Sequence, residues 1–328
     1  MLVRIVKGWI GPDFLSQTPG GEGLWNGIRF TFDPVEECDY LIMLNNQMKS
    51  DVTVRCSREN VWAIMQEPYR KGHTDWMVEK HDAFDRVLTN HRPSNDPKYV
   101  VSHPAVPWHV KRTFDQLVSM AMPPKTGVIS WIAGNPTDLP GHLQRLSFLQ
   151  YVRRHDTVGI DYFGRAVRYI DDKWDGLAPY KYSIVIQNSS SPDYWTEVVA
   201  DSFLSWTVPI YWGCTNLEDY FPAESFIRID LDDPEASLET IRKTAREDHW
   251  EKRLPALEEA RRLILYRYQF FPHLSGLLRG EPRRRREAVT ITIPAYRRSL
   301  KTRFYRLEYK WRKLFTRSGI RKNDWPKT

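Results

Sequence analysis

Short apolar runs, rich in β-branched and aromatic residues, punctuate this chain at intervals too long for hairpins, and most of them end in polar residues. Leu2 to Lys7, Asp39 to Leu44, Val61 to Met65 and Arg86 to Asn90 are such runs in the first third. The second and third pass directly into Asn45-Asn46 and Gln66-Glu67-Pro68. Gly127 to Ile132, Tyr182 to Ile186 and Val208 to Trp212 continue the pattern. Runs this short, bounded by turn chemistry and separated by stretches with helical spacing, predict buried parallel strands joined by crossovers. Helical stretches are expected over Trp76 to Phe84, over the segment carrying Leu143, Leu146, Leu149, Tyr151 and Val152, and over Leu238 to Arg242 and Trp250 to Phe270. Near the end, Leu300, Phe304, Leu307, Trp311 and Leu314 fall at four-three spacing with Arg and Lys between them, which predicts a basic amphipathic helix.

The segment Tyr180 to Asp230 carries the most chemistry. It reads as strand, polar loop, helix, strand and acidic turn. Ser191-Pro192 has the form of a helix start, since serine caps orphan amides and proline tolerates the first helical position, so a helix is expected from there to about Trp206. Val199, Phe203 and Trp206 would face the sheet, leaving Glu197 and Asp201 on a different side. A strand-loop-helix unit turns unpaired amides toward an anion at the carboxyl edge of its sheet, and phosphate is the natural guest.

Composition adds size and a charge asymmetry. The chain has 328 residues, 41% hydrophobic and 13% aromatic, enough for two lobes with their own cores. Expected boundaries are 1–122, 123–280 and a tail 281–328, with Met122-Pro123-Pro124 as the hinge. The net charge of +7 belongs to the tail, which holds 16 Lys/Arg against four acidic residues, while residues 1–280 are net acidic. The tail's chemistry fits an anionic membrane surface first, docking onto this chain or a partner second, and nucleic acid least. Arg283 to Arg286 reads as a solvated linker. No apolar run reaches the roughly 20 residues of a membrane span, and the start is too short in apolar residues for a secretory signal, so a cytoplasmic protein, peripheral on the inner membrane face, is expected. Cys38, Cys56 and Cys214 lack metal or disulfide spacing and are expected as buried free thiols. Asp171-Asp172 and Asp232-Asp233 read as polar turns, and no metal or cofactor is expected.

Tyr180, Lys181, Asn188, Ser189, Tyr194, Thr196, Glu197, Pro209, Gly213, Asn216, Pro222, Ser225, Phe226 and Ile227 together resemble the C-terminal donor-binding region of glycosyltransferase family 10, the α1,3/α1,4-fucosyltransferases. The turn Asp161-Tyr162-Phe163-Gly164 and the preceding Arg145 extend that resemblance. It implies a GT-B-like α/β fold, with two facing Rossmann-like domains followed here by the basic amphipathic tail. The implied activity is inverting transfer of fucose from GDP-fucose, without a bound metal, to a saccharide acceptor such as a bacterial surface glycan precursor. Two residues depart from the family pattern: Gln187 stands where glutamate is usual, and Val198 where a lysine contacts the donor pyrophosphate.

The resemblance and the strand-end positions together nominate site residues. Glu67 is the candidate base for the acceptor hydroxyl, and Arg145 the candidate cation for the departing diphosphate. Lys181, Asn188, Ser189, Tyr194, Glu197, Gly213 and Asn216 are the candidate donor-binding residues, with Glu197 accepting hydrogen bonds from the sugar. Two alternatives stay open: an exostosin-like or other nucleotide-sugar transferase, and a glycan- or nucleotide-binding relative without turnover.

Overall fold

The computed structural model describes residues 1–134, 140–165, 167–280 and 287–316. In chain order the elements are β1 (Leu2–Lys7), β2 (Leu24–Trp25), β3 (Ile28–Thr31), β4 (Tyr40–Leu44), β5 (Val52–Cys56), β6 (Val61–Ile64), β7 (Arg86–Thr89) and β8 (Tyr99–Val101). There follow α1 (Phe114–Ser119), β9 (Gly127–Ile132), α2 (Pro140–His155), β10 (Asp161–Phe163), α3 (Lys173–Leu177), β11 (Tyr180–Ile186), α4 (Glu197–Leu204), β12 (Val208–Trp212) and β13 (Ile227–Arg228). The chain closes with α5 (Pro234–Glu247), α6 (Trp250–Leu263), α7 (Phe270–Gly280), β14 (Val289–Ile293) and α8 (Leu300–Thr316). The expected strands are present, and the class is mixed α/β with parallel sheets.

The chain divides into two compact units. The larger comprises Met1, 10–31 and 102–285, and the smaller 2–9, 32–101 and 286–328. Neither is a contiguous lobe ending near residue 122, and the described tail residues 287–316 group with the smaller unit. Residues 10–31 belong to the larger unit because their side chains interlock with distant segments of it. Gln17 donates to the Trp108 carbonyl (2.9 Å), Gln269 donates to the Gln17 carbonyl (3.2 Å), and Phe14 and Phe30 pack edge-on against Phe270 and Phe271. None of these partners is near in sequence.

In the smaller unit β1, β4, β6, β7 and β8 lie side by side in that order and run parallel. Leu41, Met43, Val61, Ala63 and Val87 are buried beneath Trp76 and Met77. Cys38 and Cys56 are buried free thiols, and the Cys56 thiol donates to the Asp39 carbonyl (3.6 Å). The expected helix over Trp76 to Phe84 is only a 3-10 turn, Asp75–Met77. Asn46 Nδ2 claims the Glu79 and Lys80 carbonyls (3.1 and 3.0 Å) and Lys80 takes a left-handed φ of 62°, so the helical ladder cannot extend. β14 pairs antiparallel with β5, and α8 follows it. Glu79 accepts hydrogen bonds from Tyr296 (2.7 Å) and Thr302 (2.9 Å), Arg298 pairs with buried Asp75 (3.2 Å), and Lys71 pairs with Glu308 (3.1 Å). The tail helix therefore docks on its own chain by one face, although membrane contact was its first expectation. Arg283 to Arg286 lie outside the described residues.

The larger unit holds a parallel sheet in the order β10-β9-β11-β12-β13. Ile129, Trp131, Tyr182, Ile184, Val208 and Ile210 are buried in it, which accounts for the apolar runs read from the sequence. Lys125 hydrogen-bonds the Ala178 and Ser205 carbonyls (2.8 and 2.9 Å), tying together the chain just before β9, β11 and β12 at the amino edge. Burial among these neutral acceptors pulls its ammonium down to about 7.

Candidate active site

The strand order determines where a ligand fits in the larger unit. The chain leaves β9 toward β10 on one side, then returns past β9 to β11, β12 and β13 on the other, so the topological switch lies between β9 and β11. A crevice opens outside the carboxyl ends of the strands at such a point. Right-handed crossovers put α2 on one face of the sheet and α3 and α4 on the other. The packing agrees, since α2 contacts α5 while α4 contacts α3 and α6. α2 runs close to the switch: a Cβ on Gly141 would collide with the Asn188 carbonyl, so only glycine lets its first turn lie against the end of β11. The amides at the start of a 16-residue helix thereby stand beside the loop after β11.

That loop is fixed by its own side chains. Tyr194 is buried and donates to Asn188 Oδ1 (2.8 Å), and the Thr196 hydroxyl donates to Gln187 Oε1 (3.0 Å). A Cβ on Gly213 would strike the Gln187 side chain and lie 2.6 Å from the Tyr211 hydroxyl, so Gly213 lets β12 close against β11. Asn216 accepts from the Asp193 amide (2.8 Å) and donates to the Asp193 carboxylate (3.0 Å), which also takes the Tyr220 hydroxyl (2.7 Å). These bonds hold Asp193 at a left-handed φ of 58°. The expected helix from Ser191 consequently starts late: α4 begins at Glu197, with Thr196 at its N-cap. Ser189 is half-buried in the same loop.

Glu197 opens α4 and points into a charged cluster that sequence reading missed. Its Oε1 lies 3.4 Å from Lys173 Nζ and 3.5 Å from His109 Nδ1. Lys173 also pairs with Asp201 at 2.8 Å, and the Asp201 side chain is 1% exposed. Asp201 accepts the His109 and Val110 amides too (2.7 and 3.2 Å). Burial alone would raise the Glu197 carboxyl, but the Lys173 ammonium, His109 and the Thr196 hydroxyl outweigh it and hold it down at about 2. Glu197 is therefore a carboxylate at any physiological pH. The one available signal was the α4 spacing, which puts Glu197 and Asp201 four residues apart on one face. Asp172, expected as a plain turn residue, caps α3 at the Trp174 amide (2.9 Å) and holds the Lys111 amide and Arg112 guanidinium.

The remaining candidates are placed differently. Arg145 lies in the second turn of α2, across the sheet edge from α4, and its Nε is buried with no hydrogen-bond partner among the described residues. Burial pulls its guanidinium down from the ordinary arginine range. Lys181 does not join the group. It lies near the amino end of β11, about 20 Å along the strand from Asn188, and is engaged with Asp248 at the end of α5. Glu67 is in the smaller unit, just past the carboxyl end of β6, where its carbonyl accepts from Asn90 Nδ2 (3.3 Å). Asn188, Ser189, Tyr194, Glu197, Gly213 and Asn216 are thus gathered around one loop.

Residues 122–250 match the sequence model of the family described as glycosyltransferase family 10 (fucosyltransferase) C-term. The human 4-galactosyl-N-acetylglucosaminide 3-alpha-L-fucosyltransferase FUT6 is 25% identical over 175 residues, 52% of this chain and 45% of that one. The human 4-galactosyl-N-acetylglucosaminide 3-alpha-L-fucosyltransferase 9 is 30% identical over 175 residues, 52% of this chain and 44% of that one. The chain thus spans about half the length of the curated relatives it matches. Among solved structures, an alpha1,3-fucosyltransferase superposes with a TM-score of 0.48 at 14% identity, covering 82% of this chain and 90% of that one. Residues 122–250, which carry β9 to β13 and the loop around Glu197, are thus similar to the C-terminal region of glycosyltransferase family 10.

Proposed function

We propose that this chain is an inverting glycosyltransferase that moves fucose from GDP-fucose to a saccharide acceptor. The observation that supports the reading is the coincidence of the family 10 match with a helix start and a cation on the same helix, chemistry that suits an anion. α2 turns its amino end to the loop at Asn188, and the buried Nε of Arg145 lacks a partner among the described residues. In this reading Arg145 and the α2 amides neutralise the diphosphate as the bond from fucose C1 to the phosphate oxygen breaks. Glu197 accepts hydrogen bonds from sugar hydroxyls, while Asn188, Ser189 and Tyr194 line the nucleotide, with Gly213 and Asn216 shaping the loop beneath it. The acceptor oxygen attacks C1 from the opposite side, and Glu67 is the proposed base for its proton. GDP leaves, and no redox partner is needed.

Gln187 and Val198 make the donor sugar the part of the reading to test first. Gln187 serves the loop as an amide, holding Thr196, and Val198 leaves the first turn of α4 without a cation of its own. A panel of GDP- and UDP-sugars, each assayed for nucleotide release with several saccharide acceptors, decides the matter. GDP-fucose is expected to turn over fastest and to depend on an acceptor. Turnover with another donor while GDP-fucose is inert would overturn the substrate assignment.

The tail supports a location as well. With α8 docked by one face, Leu300 (83%), Phe304 (67%), Leu307 (56%) and Trp311 (63%) form an exposed apolar stripe, flanked by exposed Lys301, Arg303, Arg306 and Lys310. No helix among the described residues is long and apolar enough to cross a membrane. The stripe fits the interfacial region of an anionic bilayer, where a lipid-linked bacterial glycan precursor would present its saccharide on the inner face.

A further inference from the structure

The charged cluster around Glu197 draws its cation from an unexpected place. Lys173 is the first residue of α3, 24 positions before Glu197, and reaches α4 from the neighbouring helix. Its ammonium is committed to carboxylates, Asp201 at 2.8 Å and Glu197 at 3.4 Å, with the side chain only 28% exposed. Asp201 in turn is anchored by two backbone amides of the segment at His109, so it cannot swing to follow a ligand. Lys173 is thus held from below and presents its remaining valence to Glu197.

We infer that Lys173 is a positioning residue for the donor sugar: anchored by Asp201, its ammonium holds Glu197 in one orientation as an ionised hydrogen-bond acceptor, and it does not itself bind the diphosphate. This rests on the donor reading above. The groups facing Glu197 are Lys173 from α3, His109 from the segment before α1, and Thr196 and Asp201 from α4's own start and second turn. Removing the ammonium leaves buried Asp201 and half-buried Glu197 with His109 as the only adjacent base among the described residues, so desolvation and mutual repulsion would drive Glu197 toward its protonated form. A protonated Glu197 loses an acceptor for the sugar but changes nothing at the phosphates. The lysine missing at position 198 is therefore not replaced by Lys173, and the diphosphate depends on Arg145 and the α2 amides.

Calorimetric titration of the full chain with GDP and with GDP-fucose separates these roles. In Lys173→Met, GDP affinity is expected within about twofold of wild type, while GDP-fucose affinity falls roughly 10- to 100-fold, the loss of a charged hydrogen bond. The acid limb of GDP-fucose binding should also move from below about pH 4 to the neutral side of the ordinary carboxylate range, and Lys173→Arg should restore both properties. Equal losses for GDP and GDP-fucose would make Lys173 a phosphate ligand and overturn the inference, as would an unchanged Lys173→Met profile. If Lys173→Met fails to fold, wild type alone still decides. Its preference for GDP-fucose over GDP should stay flat down to about pH 4, and a preference lost with a midpoint near 5 contradicts a Glu197 held ionised. Failure of the donor reading looks different: wild type then binds GDP-fucose no better than GDP at any pH.

Discussion

A buried guanidinium nitrogen without a hydrogen-bond partner is a cost the folded protein bears before any ligand arrives. Among the described residues Arg145 Nε is in that position, and burial lowers the affinity of the whole group for its proton. Arg145→Met should therefore leave the melting temperature of the ligand-free protein unchanged or raised, because an apolar side chain removes the desolvation penalty. The same change should weaken GDP binding by roughly 10- to 100-fold, the loss of a charge-assisted hydrogen bond or two. Thermal melts with and without GDP measure both, and a destabilised ligand-free protein with intact GDP affinity would make Arg145 structural. As candidates, Arg145 and Glu197 were nominated by a spaced pattern of residue types. Lys173, His109 and Asp201 were not, because they converge on Glu197 from three segments that only the tertiary fold brings together. Lys181 shows the converse. It matches the pattern in sequence yet sits at the wrong end of its strand, since a match in register says nothing about which edge of a sheet a residue occupies.

At the scale of elements, the loop that carries Tyr194 is backed by a buried aromatic group that includes two histidines. His103 stacks on Trp195, with ring centroids 4.5 Å apart, and lies 4.2 Å from His273 of α7, while Tyr268 comes from a π-helical turn, Ile264–Tyr268. His273 Nε2 and the Ser102 hydroxyl share a hydrogen bond of 2.9 Å. Burial pushes His273 down to about 4 and His103 well below its ordinary range. Both rings are neutral when folded, so unfolding takes up protons once the pH drops below about 6.5, and stability falls from there toward pH 4. For His273 the loss amounts to roughly 3 kcal/mol at about 1.4 kcal/mol per unit. Denaturant titrations of wild type and His273→Gln at pH 7 and at about pH 4.5 test this, with the variant expected to show the shallower loss. A wild-type stability that is flat over that range would contradict it. The strands of this sheet were readable from apolar runs, whereas the start of α4 was not. Ser191-Pro192 has the local chemistry of a helix start, but bonds from Asn216 and Tyr220 to Asp193 override it.

At the scale of the whole molecule, the amphipathic tail was legible and its docking was only half so. The four-three spacing specified a helix with an apolar stripe, and the helix is there. Which face would be covered depended on Glu79, Asp75 and Lys71, residues more than 200 positions away that no spacing rule connects to the tail. The unit boundaries were illegible for the same reason, since residues 10–31 join the larger unit through side-chain contacts rather than through chain continuity. The exposed stripe leads to a test on vesicles. The full chain should sediment with vesicles containing phosphatidylserine and not with pure phosphatidylcholine, each exposed cation contributing about 1 kcal/mol at low salt. Salt and the double change Phe304→Ser with Trp311→Ser should each release it. Binding that is equal on neutral vesicles, or unaffected by the double change, would contradict membrane contact through α8.

The carboxyl edge of the larger unit's sheet is the proposed site of the sugar nucleotide. Amide hydrogen exchange of the full chain, with and without saturating GDP-fucose, tests that most directly. Protection is predicted in residues 187–197 and in the first two turns of α2, with β14 and α8 unchanged. Protection confined to other segments, or none at saturation, would contradict it.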